Sequence, residues 1–342
     1  MTNLMLAGYA NLTLYIAMAV LALAMIAFSA YVALSVSGQT RPHEQPARRR
    51  EPVVVGARAA HGVDDWTDSE GHASSIGDLA RPVSRRAGTA GGYAMSLSWL
   101  GTFFLVASVI LRGASVSRPP LGNMFEFATF GAMLVMLVYL GLSMRWPLRW
   151  LGLFVVVPVL LTLGLAMTVW YTAASELLPS LKSVWLVIHV TVATLSVALF
   201  TLACSVLILH LLRTAADARM SDEVGTRSAW QGFLATLPSA RTLDRISYGL
   251  HVVAFPLYTF TLIAGAIWAQ QAWGSYWNWD PKEVWTFIVW VIYAAYLHAR
   301  ATSGWSVRTA NVLALVGYAA IIVNFTVVNI YFPGQHSYSG LS

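Results

Sequence analysis

The chain has 342 residues, of which 57% are hydrophobic and only 11% charged, with a net charge of +6 and a mean hydropathy of +0.63. That balance excludes a domain built to meet water on all sides and makes the bilayer the expected solvent. The single cysteine, Cys204, excludes a disulfide, a CxxC redox pair and a CxxCH attachment site among these residues, and the basic residues, gathered between apolar runs, read as membrane topology rather than nucleic-acid binding.

Apolar runs long enough to cross a bilayer predict eight helices, near 12–34, 94–112, 123–143, 149–169, 184–212, 247–270, 282–300 and 309–331. The expected fold is therefore all-α, a polytopic integral membrane protein. The first run, within 1–34, lacks a small-residue cleavage site behind it and reads as a retained span. Residues 35–93, rich in Ala, Gly, Arg, Asp and Ser, read as a disordered basic cytoplasmic loop, and 94–342 as the membrane domain. Eight Lys and Arg residues fall in 35–93, two in the turn MRWPLRW, five in 213–246 and two around 301–308. Arg112, Arg118, Lys182 and Lys282 alone fall on the other set of connections. Basic loops stay in the cytoplasm, so both termini are expected on the outer face.

The stretch WGSYWNWDPKEVW, residues 273–285, sets four tryptophans, a tyrosine and three charges before the seventh run. Asp280 predicts the N-cap of a helix, Pro281 its first position and Glu283 the closing member of a capping box. Trp273, Tyr276, Trp277 and Trp279 then occupy a loop or surface helix at the outer interface. An aromatic belt at the headgroups is one reading; an ordered platform for a large flat apolar ligand is the other, and the density of aromatics beside an acidic cap favours it.

Together with YLHAR (residues 296–300), this stretch resembles the tryptophan-rich WWD motif of the heme-handling proteins of cytochrome c biogenesis, specifically the CcsA/ResC-like subunit of the System II pathway. PLGNMFEF (120–127), SLKSVWLVIHV (180–190) and HSYSG (336–340) are similar to further blocks of that family, so the resemblance spans about residues 94–342.

Among the eight histidines, His43, His61 and His72 lie in the polar loop and read as solvated. His189, at the outer end of the fifth span, and His336, past the eighth, flank the tryptophan loop. Two neutral imidazoles on either side of an aromatic shelf suit axial ligation of heme iron, the alternative being interfacial residues bonded to backbone. The resemblance implies the ligand role. His298 lies eighteen residues beyond Asp280, about 27 Å along one helix, and so at the opposite face. For it the resemblance implies an inner heme site whose second ligand comes from a ResB-like partner, with His251 the candidate within this chain. His251 and His210 otherwise read as packed or interfacial polar groups.

The function implied is heme delivery and attachment in cytochrome c-type biogenesis at the plasma membrane. With a ResB-like membrane subunit, the chain would move reduced, non-covalent heme b, its substrate in transit, to the outer face. His189, His336 and His298 would bind iron, and Trp273, Trp277, Trp279 and Asp280 would line the porphyrin. The heme would be presented to the CxxCH thiols of apocytochrome c, a holocytochrome c synthase (heme lyase) activity shared with the partner, with no catalytic side chain assigned here. A thiol-reducing thioredoxin-like protein would act indirectly. Lys282 at the start of the seventh helix is placed to meet a propionate, and Asn123 and Glu126 to support the outer pocket. Two other readings stand: a transporter of another amphipathic ligand with a histidine proton relay, which would bind its ligand without a Soret band, and a System I heme chaperone or lyase subunit, against which the PLGNMFEF and HSYSG blocks weigh.

Overall fold

In the computed structural model the described residues are 3–37, 84–175, 177, 182–222, 229–302, 304–332 and 334–336. They form helices only: α1 (Leu4–Ser37), α2 (Arg85–Val116), α3 (Met124–Arg145), a 3-10 turn (Arg149–Leu151), α4 (Gly152–Thr168), α5 (Val184–Asp222), α6 (Ala229–Thr236), α7 (Ala240–Trp273), α8 (Pro281–Ala301), α9 (Val307–Val323), a π-helical segment (Asn324–Val328) and α10 (Asn329–Tyr331). Eight of these runs are long and apolar enough to span a membrane, the last continuous from Val307 to Tyr331.

The expected boundary at 93 moves. α2 starts at Arg85, where the Ser84 hydroxyl accepts a hydrogen bond from the Ala87 N–H, and residues 85–93 are helical rather than part of the loop. An apolar scan misses them because the turn packs through small residues: Ala87, Gly91 and Ala94 are buried, and a Cβ on Gly91 would press on the Tyr31 ring at 3.0 Å. The same device recurs at Gly101, which leaves room for Leu21, and at Gly152, which receives the Phe28 ring. Close approach through small residues is how helices associate where lipid supplies no hydrophobic drive. The rest of the predicted loop, 38–83, lies outside the described residues, as do Ser337 to Gly340 of the HSYSG block.

α5 is the central post. Its residues Ala198, Leu202, Val206 and Leu209 face one core, shared with α1 to α4, while Leu199, Phe200 and Leu207 face a second, shared with α7, α8 and α9. A helix buried on both sides reads as apolar all round, and this one does.

Charges close the bundle at each end. At the end carrying the tryptophan loop, Glu126 is fully buried and accepts hydrogen bonds from Arg112 Nε (3.0 Å), Arg118 Nη1 (2.8 Å) and the Gly122 N–H (2.8 Å). The two arginines reach on to the carbonyls of Thr172 and Ser175. Two connections, α2 to α3 and α4 to α5, are thereby tied to one carboxylate. At the opposite end Asp244 on α7 grips Arg300 on α8 through both oxygens, at 2.8 and 2.7 Å, and accepts a bond from Asn311 of α9.

A buried charge left without its partner costs about 3–5 kcal/mol, whereas an apolar replacement of the whole set is often neutral. Glu126→Ala should therefore lower the thermal unfolding temperature of the purified chain in detergent far more than Arg112→Met, Arg118→Met and Glu126→Leu combined.

Candidate functional site

α7 ends at Trp273 because Gly274 takes a left-handed conformation (φ +78°) and returns its N–H to Gln270. α8 begins at Pro281 with the expected box: the Lys282 N–H bonds Asp280, and the Glu283 carboxylate accepts from the backbone of Asn278 and Asp280. Between these fixed ends the loop 274–280 has little freedom. Trp279 takes φ +58°, a conformation costly for a bulky residue and one that marks functional loops.

Asp280 does more than cap. Its Oδ2 accepts the Gln335 N–H at 2.6 Å and its Oδ1 meets His336 Nδ1 at 3.0 Å. The segment after the last span is thus stitched to the tryptophan loop, with Trp273 edge-on to the imidazole at 4.7 Å between ring centres. Gly334 permits the approach, since a Cβ there would overlap the carboxylate. Burial favours the neutral acid, but the bonds from His336 and the backbone outweigh it and hold the Asp280 pKa below the ordinary carboxylate value. With Nδ1 on Asp280, the imidazole is oriented from that nitrogen and turns its Nε2 edge away from the carboxylate.

Beneath the loop lies a cavity of about 370 Å³, within the roughly 300–1,000 Å³ of pockets that bury a small organic ligand. His189 and His336 both line it, with Trp277 at its rim. On α5 the lining runs from Leu186 to Thr201, so the chamber extends about 22 Å into the bundle. Two backbone irregularities lie in its wall: Pro158 inside α4 and the π-helical start at Asn324. His189 fits a notch in α7, where a Cβ on Gly265 would stand 2.8 Å from its ring, and it packs against Trp268. Among the described residues, five buried polar atoms on this wall have no hydrogen-bond partner: His189 Nδ1, Trp268 Nε1, Glu283 Oε1, Asn324 Oδ1 and Asn329 Oδ1. Orphans of this kind cost free energy unless water or a ligand meets them.

The candidate residues divide. His189, His336, Trp277, Asp280 and Trp273 assemble at this end. Trp279 touches Trp277 but is 77% exposed and projects away from the lining. His298 is exposed near the far end of α8. His251 is buried and bonded through Nδ1 to the Ser247 carbonyl, among Phe200, Tyr293 and Tyr296. It packs on the inward side of α8, while His298 lies on the outward side, so the two are not a pair. Asn123 caps α3 through the Glu126 N–H, and Glu126 joins the arginines rather than the headgroups. The first N–H groups of α8 are engaged by Asp280, so an anion at Lys282 would meet the side chain and not an open helix end. Trp268, Gly265 and Asn329 carry no sequence signal. Asn324, an amide that shares the apolar run IIVNFTVVNIY with Asn329, is the residue from which the sequence hints at a polar wall.

These features define a polytopic membrane protein with a histidine- and tryptophan-lined chamber under a braced tryptophan loop. Residues 120–336 match the model of the family described as "Cytochrome C assembly protein", and the chain belongs to that family. It is similar to "Cytochrome c biogenesis protein CcsA" of Parasynechococcus marenigrum, at 32% identity over 75% of this chain and 88% of the relative. The proteins of the same name from Porphyra purpurea and Gloeobacter violaceus are each 34% identical, over 65% of this chain and 79% of theirs.

The lowered Asp280 pKa sets a pH test. Its stabilising contribution is complete above the ordinary value near 4 and is lost as pH falls through the lower folded value. The hydrogen-exchange protection factor at Gln335 should stay level from about pH 8 to 5 and collapse below about 4. In Asp280→Ala it should be low at every pH.

Proposed function

We propose that this chain, with a ResB-like membrane subunit, brings reduced heme to the outer face of the plasma membrane, holds it under the tryptophan loop and presents it to apocytochrome c. The observation that carries the reading is that His189 and His336 line one apolar chamber, each ring fixed from behind, by Gly265 and Trp268 for the first and by Asp280 and Trp273 for the second. Paired imidazoles with a planar aromatic beside them suit iron ligation and porphyrin stacking.

Attachment needs no oxidant: the S–H of each CxxCH cysteine adds across a heme vinyl C=C, the sulfur bonding one carbon and the proton passing to the other. The chain's task is to hold and orient, and the incoming histidine displaces one imidazole. The exposed His298, on a different face of α8 from the Tyr296 ring that packs on His251, suits a ligand shared with a neighbouring membrane subunit.

The test is the absorption spectrum of the chain purified with its ResB-like partner. It should show b-type heme, altered in His189→Ala and His336→Ala and partly restored by free imidazole. His298→Ala should lower heme per complex while what remains keeps the outer bis-histidine spectrum. A wild-type complex that binds an amphipathic ligand without a Soret band would replace this reading with that of a transporter.

Trp277 and Trp279 separate the platform from the belt. An aromatic contact contributes on the order of 1 kcal/mol beyond area burial, so Trp277→Ala should speed heme loss roughly fivefold, while Trp279→Ala, facing outward, should change heme retention little. Equal retention in both variants and wild type would favour an aromatic belt.

A further inference from the structure

The chamber reaches the lipid-facing surface of the bundle between α4 and the last span, Val307–Tyr331. Both elements line it, α4 with Pro158 and Thr162 and the last span with Ile322 and Phe325, and both pack on α5, yet they form no packed seam with each other. On the last span Val312, Val316 and Ala319 make an exposed stripe, and Ile322, 45% exposed, continues it while also lining the chamber. On α4 the exposed stripe is Leu161, Leu165 and Thr168, and the half-buried Pro158 and Thr162 adjoin it one turn away on the cavity side. The two borders face each other across a slot, behind which Ala193, Thr194 and Val197 of α5 form the back wall.

The slot has fixed limits. Pro158 has no N–H to give the Phe154 carbonyl, and the Ser205 hydroxyl of α5 donates to it instead at 3.3 Å. Across the slot the Tyr318 hydroxyl donates to Thr201 of α5 at 3.1 Å. These bonds pin the edge far from the tryptophan loop, and the near edge is set where Trp170 meets Phe325 edge-on at 5.4 Å. Between the limits both flanking helices lose their regular ladder, one at Pro158 and the other at the π-helical turn, so the flanks are the parts of the bundle best able to part.

We infer that the slot admits an acyl chain of a membrane phospholipid, which occupies the apolar part of the chamber until another ligand displaces it. Ile322 lies nine residues, about 13 Å, from the end of its span, within the roughly 15 Å that the chains of one leaflet occupy, so a chain from the leaflet on the tryptophan side reaches it. The back wall lies one to two turns deeper than His189, and Thr194 spends its hydroxyl on the Val190 carbonyl, so the wall offers methyl groups and no free donor. Apolar cavities exclude water, and the loss of stability grows with the volume left unfilled; for a chamber of about 370 Å³ the adjoining hydrocarbon is the natural filler. Loading the chamber is then an exchange, in which the entering ligand expels a chain through the side of the bundle. The inference stands apart from the heme reading, and its test uses no porphyrin.

The full chain is placed in phosphatidylcholine nanodiscs doped with a phosphatidylcholine that carries a diazirine near the end of one acyl chain, irradiated, digested and mapped by mass spectrometry. Wild type should carry lipid adducts on Ala193, Thr194 or Val197 as well as on the outward-facing Val316. Ile322→Trp, which fills the slot, should lose the inner adducts and keep those on Val316, which shows that the variant is inserted and folded. Thr162→Phe, from the other flank, should do the same. Adducts confined to the outer surface of wild type, or inner adducts that survive both substitutions, overturn the inference.

Discussion

One carboxylate sets the geometry of the tryptophan end. Asp280 starts α8, and the same two oxygens hold the Gln335 backbone and the His336 ring, fifty-six residues further along the chain. A charged acceptor with several N–H donors gives short, strong bonds, and burial to 7% exposure shields them from competing water. Without it the loop, the helix start and the segment after the last span would be three separate pieces. With it, the edge-on contact of Trp273 with His336 and the position of Trp277 at the rim follow from one fixed point.

The bundle below bears an unusual burden for that precision. Glu126 with its two arginines is a buried set with one net positive charge, stable only because carbonyls of the neighbouring connection complete the hydrogen bonds. The Asp244, Arg300 and Asn311 cluster does the same at the far end. Between them the interior is apolar and packed through glycine and alanine, so the helices are located by charge at their ends and by close approach along their lengths. The chamber is where this order is interrupted, by Pro158, by the π-helical turn and by five unpaired polar atoms.

Eight spans and the DPKE helix start were legible because each depends on local chemistry: a run of apolar side chains, or a cap and its box within four residues. The start of α2 was not, since Arg85 to Tyr93 buries small residues that hydropathy scores as neutral. His189 and His336 could be placed on one face from span counting, but the groups that aim them could not. Asp280 to His336 and His189 to Gly265 are contacts between distant parts of the chain, and no periodicity reports them. Trp279 shows the limit from the other side. Its composition and neighbours match those of Trp277, yet a positive φ turns it to solvent.

The π-helical turn has a consequence of register. Five residues per hydrogen-bonded ring, in place of four, absorb one position in the last span, and everything that follows is rotated by about 100° and set back by about 1.5 Å relative to an uninterrupted α-helix. Asn329, Gly334 and His336 all lie downstream of that offset. The terminal imidazole therefore meets Asp280 by a count of residues as much as by their identity: the same residues wound as ordinary α-helix through Asn324 to Val328 would present those side chains to a different quarter of the bundle.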